Sequence, residues 1–87
     1  MQLSNKIRRA ALSVHLNSAE GCSRKSQTER KRFFEVSRGS IIEIDAVLDA
    51  ASDLGYCKKE DLRQLEPTMI RVFIMLSKMI GGYKIHD

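Results

Sequence analysis

Apolar and small side chains recur three and four positions apart through the middle of the chain, and this spacing is typical of helices. The residues concerned are Phe34, Ser37, Ile41, Ile44, Leu48 and Ala51. Such a stripe runs along one face of a helix and packs side by side against a neighbouring helix. A second stripe follows at Leu62, Leu65, Met69, Val72, Leu76 and Met79. The sequence therefore predicts an all-α chain.

The chain has 87 residues, a length that predicts a single domain over residues 1–87. Helices are expected over about 3–19, 27–54 and 58–80. A domain of this size buries only ~60% of the surface that its unfolded chain exposes, so association with other copies would add stability.

Turn signals separate the three predicted helices. Ser26 and Glu29 form a capping box, in which the Ser26 hydroxyl accepts the amide of Glu29 and the Glu29 side chain accepts the amide of Ser26. Gly55 is expected to end the second helix in a left-handed conformation. Gly81 and Gly82 are expected to close the third helix.

Two residues interrupt the helical pattern. Gly39 lies inside the second helix, where we expect another backbone to approach closely. Pro67 lies inside the third, where it predicts a kink, or a short helix followed by a longer one. Apolar residues also lie beside the stripes, and they indicate either a broad core or a surface for another copy or a missing helix. These residues are Ile42, Val47, Ile70, Phe73 and Ile74.

Positive charge is concentrated at the start of the chain. The net charge is +4, and nine of the 15 lysines and arginines lie in residues 1–40. Lysine and arginine neutralise phosphates whatever the base sequence. The candidate nucleic-acid-binding residues are Arg8, Arg9, Arg24, Lys25, Arg30 and Lys31. The last four flank one turn and should cluster at one end of the molecule, although an ordinary solvated surface would have a similar composition.

Polar residues near the same turn indicate a structural network rather than an active site. The residues are Asn17, Glu20, Ser26, Glu29 and Arg32. Glu20 and Arg24 lie four positions apart and can pair on a continuous helix. No nucleophile, base and orienting group occur together, so we expect no enzymatic activity. Neither Cys22 nor Cys57 has metal-ligand spacing with a histidine, so no metal or cofactor is expected.

Many unlike residues in one order give the chain a family resemblance. They are Ile7-Arg8-Arg9-Ala10-Ala11, Ser13-Val14, Asn17, Ala19-Glu20-Gly21, Arg24, Ser26, Glu29, Arg32-Phe33, Gly39-Ser40, Glu43, Ala51 and Leu54-Gly55-Tyr56. In this order they resemble the bacterial four-helix-bundle family of the 23S rRNA intervening-sequence protein. That family includes the accessory variability protein of diversity-generating retroelements.

The resemblance implies an up-down antiparallel bundle that assembles as a homopentamer. It also implies a basic surface for RNA, DNA or a nucleic-acid-processing partner, as in the retroelement relative. Members begin with a helix ahead of the segment that starts here at Leu3, so we expect that helix to be absent, by truncation or because a partner supplies it. His15 and Ser18 depart from the family pattern, which often has proline and a bulky apolar residue there.

Two functional hypotheses follow. In the first, the protein is a non-enzymatic oligomeric scaffold that binds nucleic acid or a nucleic-acid-processing partner. In the second, it is a structural or protein-interaction module with no affinity for nucleic acid. No apolar run approaches the ~20 residues that span a bilayer. The two isolated cysteines suit a reducing compartment, so we expect a cytoplasmic protein without membrane association.

Overall fold

The computed structural model describes residues 2–81, with side chains from Asn5 onward, and consists there of three helices without a strand. Helix α1 spans Gln2–Ser23, α2 spans Gln27–Asp53 and α3 spans Lys59–Ile80. The all-α prediction is therefore confirmed. The side chain of Leu3, at the start of the first predicted helix, and all of Gly82, expected at the end of the third, lie outside the described part.

Helix α1 continues four residues beyond its predicted end, through a buried glycine. A Cβ atom built on Gly21 would lie 2.6 Å from Cε1 of Phe34. The missing side chain thus lets the Phe34 ring pack directly on the α1 backbone. Nothing lies within 4 Å of a Cβ built on Gly39, the glycine expected to sit at a close approach. Among the described residues that expectation is wrong, and the close approach occurs at Gly21, where the neighbour is a ring and not a backbone.

Small side chains and hydroxyl groups join α1 to α2. The buried Ser37 hydroxyl donates to the carbonyl of Val14 at 3.1 Å and lies 3.1 Å from the Ser18 hydroxyl. The Ser40 hydroxyl donates to that of Ser13 at 2.9 Å. The residue number increases along α2 while that of its partner decreases along α1, so the two helices are antiparallel. Small residues allow the two backbones to lie close together.

The predicted turn chemistry is present at the end of α2, but only half of the capping box forms at its start, because the Ser26 amide makes no bond to the Glu29 side chain in the described part of the chain. The Ser26 hydroxyl caps α2 by accepting the amide of Glu29 at 3.4 Å. Gly55 has a φ of 82°, the left-handed conformation expected of it. Its amide donates to Ser52 at 3.0 Å and the Tyr56 amide donates to Ala51 at 2.8 Å, the paired bonds of a Schellman motif.

Helix α3 runs without a break through Pro67. Proline has no amide hydrogen, so the carbonyl of Arg63 one turn earlier receives no bond from that position. Pro67 is exposed, so its ring displaces no core side chain. The division into a short and a longer helix does not occur. The amide of Gly81 donates to Ser77 at 3.0 Å at the C-terminal end of α3.

The core lies where α3 packs against α2. Leu76, only 1% exposed, forms a cluster with Phe34 and Ile41, and Val14 of α1 packs against this cluster. Arg38 of α2 donates to the Ser77 hydroxyl at 3.1 Å. The pairing of residues early in α2 with residues late in α3 makes these two helices antiparallel as well.

Among residues 2–81, helix α2 alone contacts both of the other helices. In the part of the chain that the structure describes, α1 packs on α2 and α3 packs on α2, while no Cα atom of α1 comes within 8 Å of one in α3. The molecule is accordingly a thin layer, with Cα extents of 45 × 26 × 13 Å. Many large apolar side chains remain about half exposed on its surfaces. Among residues 2–81, none of the helices combines the length and apolar composition needed to cross a bilayer.

Candidate nucleic-acid interface

Basic side chains surround the short connection between α1 and α2. Arg24 and Lys25 lie in the connection, while Arg30 and Lys31 lie in the first turns of α2. Arg24, Lys25 and Lys31 are exposed, and Arg30 is half-buried. The predicted clustering at one end of the molecule is thus present for these four residues, which we call the basic end.

Two of these arginines also support the local structure. Arg24 pairs with Glu20 at 2.6 Å, and both side chains are roughly half exposed, at 43% and 51%. Exposed pairs of this kind contribute little stability. The Arg30 Nε donates to the carbonyl of Gly21 at 3.3 Å, which ties α2 to the last turn of α1. In residues 2–81, Lys25 and Lys31 form no ion pair, so their charges are directed to solvent.

An aromatic ring lies beside the basic end. The Arg24 guanidinium lies over the ring of the half-buried Phe33, 5.1 Å from its centroid. Glu29 and Arg32 border the same shallow pocket. Aromatic rings and guanidinium groups are the surfaces on which unstacked nucleobases pack. The pocket therefore places two arginines and one glutamate around an aromatic ring.

The remaining two candidate residues lie elsewhere. Arg8 and Arg9 are exposed on α1, about 22–24 Å along the helix from Arg24 at ~1.5 Å per residue. The six candidates therefore do not form one cluster. The antiparallel order instead brings the end of α3 to the basic end, where Ile80 borders the same pocket as Lys31. Lys78 is exposed in this last turn of α3 and is a further basic residue that the sequence pattern did not indicate.

The five residues expected to form a polar network make separate local contacts. Asn17 donates to the carbonyl and the hydroxyl of Ser13, at 2.8 and 3.1 Å. Glu20 pairs with Arg24, and Ser26 caps the amide of Glu29. Arg32 is exposed and has no hydrogen bond in the described part of the chain. The structure therefore joins Ser26 and Glu29 by a hydrogen bond. Arg32 shares a pocket with Glu29 without bonding to it, and Asn17 and Glu20 make their bonds elsewhere.

Acidic residues collect toward the opposite end of the molecule. Asp49, Asp53 and Glu66 border a shallow pocket between α2 and α3, together with Lys59 and Arg63. Among the described residues, no three His, Cys, Asp or Glu side chains are placed to hold a metal ion. Acidic and basic side chains are thus mixed at this end, and an anionic polymer is attracted more strongly to the basic end.

One comparison with known proteins gives a match. The family model described as 23S rRNA-intervening sequence protein matches residues 1–78, nearly the whole chain. No curated protein and no solved structure matches the chain significantly.

Proposed function

The chain belongs to the 23S rRNA-intervening sequence protein family, and on that premise we propose that it is a non-enzymatic helical-bundle protein that binds nucleic acid as a homo-oligomer. A nucleic-acid-processing protein is a further candidate partner of the same basic surface. The proposal includes a four-helix bundle and a pentameric assembly, both implied by the family resemblance. It also includes a cytoplasmic location, where free thiols such as Cys22 and Cys57 persist.

The basic end carries this proposal. Lys25 and Lys31 are exposed beside the α1–α2 connection and form no ion pair within residues 2–81. Each such charge that neutralises a phosphate releases a counterion, which favours binding without regard to base sequence. An oligomer repeats the basic end in every copy, so a long nucleic acid would contact several of them at once.

A titration against salt tests the proposal. We expect a fluorescent 30-nucleotide RNA to bind at 50 mM salt and to dissociate steeply by 200 mM. The double variant Lys25→Gln/Lys31→Gln should bind more weakly. It should also lower the slope of log K against log salt by about 1.4 to 1.8, since each lost phosphate contact contributes about 0.7 to 0.9.

The matched control removes the same charge from the other end of the molecule. Lys58 and Lys59 are exposed at the start of α3. The variant Lys58→Gln/Lys59→Gln has the same net charge as the first variant, and we expect it to bind almost as the wild type does. Equal losses in the two variants would mean that net charge, rather than the basic end, drives binding. No binding of wild type at 50 mM salt would refute nucleic-acid binding.

The exposed apolar surface favours the second candidate function. Ile42, Ile70 and Ile74 are 55%, 54% and 48% exposed, and neighbouring exposed apolar side chains of this kind mark protein-interaction sites when they form a large patch. If this surface is the main binding site, the protein is a protein-interaction module. It would then form a stable assembly that does not bind nucleic acid at any salt concentration.

A further inference from the structure

An apolar groove runs along the surface between α2 and α3. It has a volume of about 280 Å³, with Met69 and Phe73 among the residues that line it and Ile42 and Ile70 beside them. Both isoleucines are more than half exposed, at 55% and 54%. Ile74, one turn beyond Ile70, extends the apolar surface along α3 and is 48% exposed.

The acidic end of the groove is marked by two carboxylates. Asp45 of α2 and Glu66 of α3 border it, and both are exposed. Along α3 the order is therefore Glu66, Ile70 and Ile74, at steps of four residues that place all three on one side of the helix. A segment that fits this groove needs positive charge at one end and apolar side chains beyond it.

Helix α1 carries such a segment on the side turned away from α2. Leu12 and Leu16 are 54% and 52% exposed, although they lie in the middle of the helix. Arg8 lies one turn before Leu12, so Arg8, Leu12 and Leu16 also follow each other at steps of four. Arg9 lies beside this row, and both arginines are exposed. This row on α1 has the same spacing as the row on α3, and its first residue, Arg8, has the charge opposite to that of Glu66.

We infer that the α2–α3 groove receives α1 of a second copy of this chain. Leu12 and Leu16 of one copy pack against Ile70 and Ile74 of the next, and the arginine at position 8 meets Glu66. The inference deepens the proposed function, since it rests on the proposed homo-oligomer and names the surfaces that form it. It assigns Arg8 and Arg9 to assembly, which accounts for their distance from the basic end.

Such a contact joins two different surfaces, so every copy keeps one free α1 face and one free groove until the assembly closes. Repetition of a contact of this kind produces a ring when the rotation between copies closes, and a filament when it does not. Within one copy α1 and α3 run in the same direction, because each is antiparallel to α2. A rotation about an axis along the helices therefore brings α1 of one copy alongside α3 of the next in the matching direction.

Two single variants and their mixture test the inference by light scattering. Leu12→Asp disrupts the apolar face of α1 and leaves the α2–α3 groove intact. Ile70→Asp disrupts the groove and leaves the α1 face intact. Each variant alone should have a monomeric mass with the helical circular dichroism of the wild type. Mixed in equal amounts, they should form 1:1 dimers and nothing larger, because only one complete contact remains in the mixture.

Two further measurements complete the test. Met75→Asp alters an apolar residue that is 53% exposed on the same helix and about 140° around it from Ile70; it should assemble as the wild type does. Arg8→Glu should weaken assembly and Glu66→Arg should restore it when both changes are present in one chain.

The inference is overturned if either aspartate variant keeps the wild-type mass, or if the mixture stays monomeric. A monomeric wild type would overturn the proposed assembly as well. The salt titration of nucleic-acid binding is independent of these masses, so the two failures can be told apart.

Discussion

Gly21 faces Phe34 so closely that a Cβ atom on the glycine would lie 2.6 Å from the ring. We expect Gly21→Ala to lower the free energy of unfolding by about 1 to 2 kcal/mol. Overpacking typically costs about 1–3 kcal/mol, and alanine recovers up to about 1 kcal/mol of helix propensity. Urea denaturation followed by circular dichroism measures the change.

Gly39→Ala is the matched control for this prediction. Gly39 is also inside a helix, but it is exposed and has nothing within 4 Å of the new Cβ position. The free energy of unfolding should rise by about 0.5–1 kcal/mol, because alanine loses less backbone entropy than glycine on folding. A loss of stability at both positions would contradict the specific contact between Gly21 and Phe34.

Ser37 should tolerate loss of its hydroxyl better than an increase in size. It is fully buried between α1 and α2, where its hydroxyl donates to the Val14 carbonyl at 3.1 Å. Ser37→Ala should lower the free energy of unfolding by about 0.5–1.5 kcal/mol, the usual net contribution of a hydrogen bond. Ser37→Val should cost about 1–3 kcal/mol through overpacking alone, in addition to that loss. A valine variant as stable as the alanine variant would contradict close packing at this position.

Leu76 should be the most sensitive position on α3. It is 1% exposed and packs with Phe34 and Ile41, so Leu76→Ala should lower the free energy of unfolding by about 2–5 kcal/mol. Met75→Ala, at a neighbouring residue that is 53% exposed, should change it by at most about 0.5 kcal/mol. Thermal melts of both variants at one protein concentration measure the contrast. Equal effects would mean that α3 is not held through Leu76.

Gly55 should resist replacement for a conformational reason rather than a steric one. Its φ of 82° lies in the left-handed region, where a side chain costs about 1–2 kcal/mol, so Gly55→Ala should destabilise the protein by that amount. Gly81 has a φ of −70°, and Gly81→Ala should leave the stability unchanged or slightly raised. Denaturation midpoints of the two variants test the difference, and a stable Gly55→Ala variant would argue against the Schellman motif.

Local signals predicted most of the fold. The spacing of the apolar stripes gave α2 and α3 to within one residue at each end, and Ser26 and Gly55 marked both ends of α2 correctly. These features depend on residues close together in sequence, such as the bond between the Ser26 hydroxyl and the Glu29 amide. They can therefore be derived without knowledge of the tertiary structure.

Features that depend on distant residues were predicted less well. Gly21 resembles a helix-ending residue in the sequence, and only the position of Phe34 on the next helix explains why α1 continues through it. Likewise, Arg8 and Arg9 share a basic segment with Arg24, but the rise of the helix separates them by more than 20 Å, an estimate based on about 1.5 Å per residue. The last turn of α3, which carries Lys78, lies at the basic end because α3 is antiparallel to α2.

The central position of α2 has a consequence for the order of folding. In residues 2–81 every helix–helix contact joins neighbours in sequence, so the molecule is two helical hairpins that share one arm. Proteins dominated by such local contacts fold quickly. The contacts of the α1–α2 hairpin, including its serine pairs, need no residue of α3, so this hairpin does not depend on the docking of α3 for its formation.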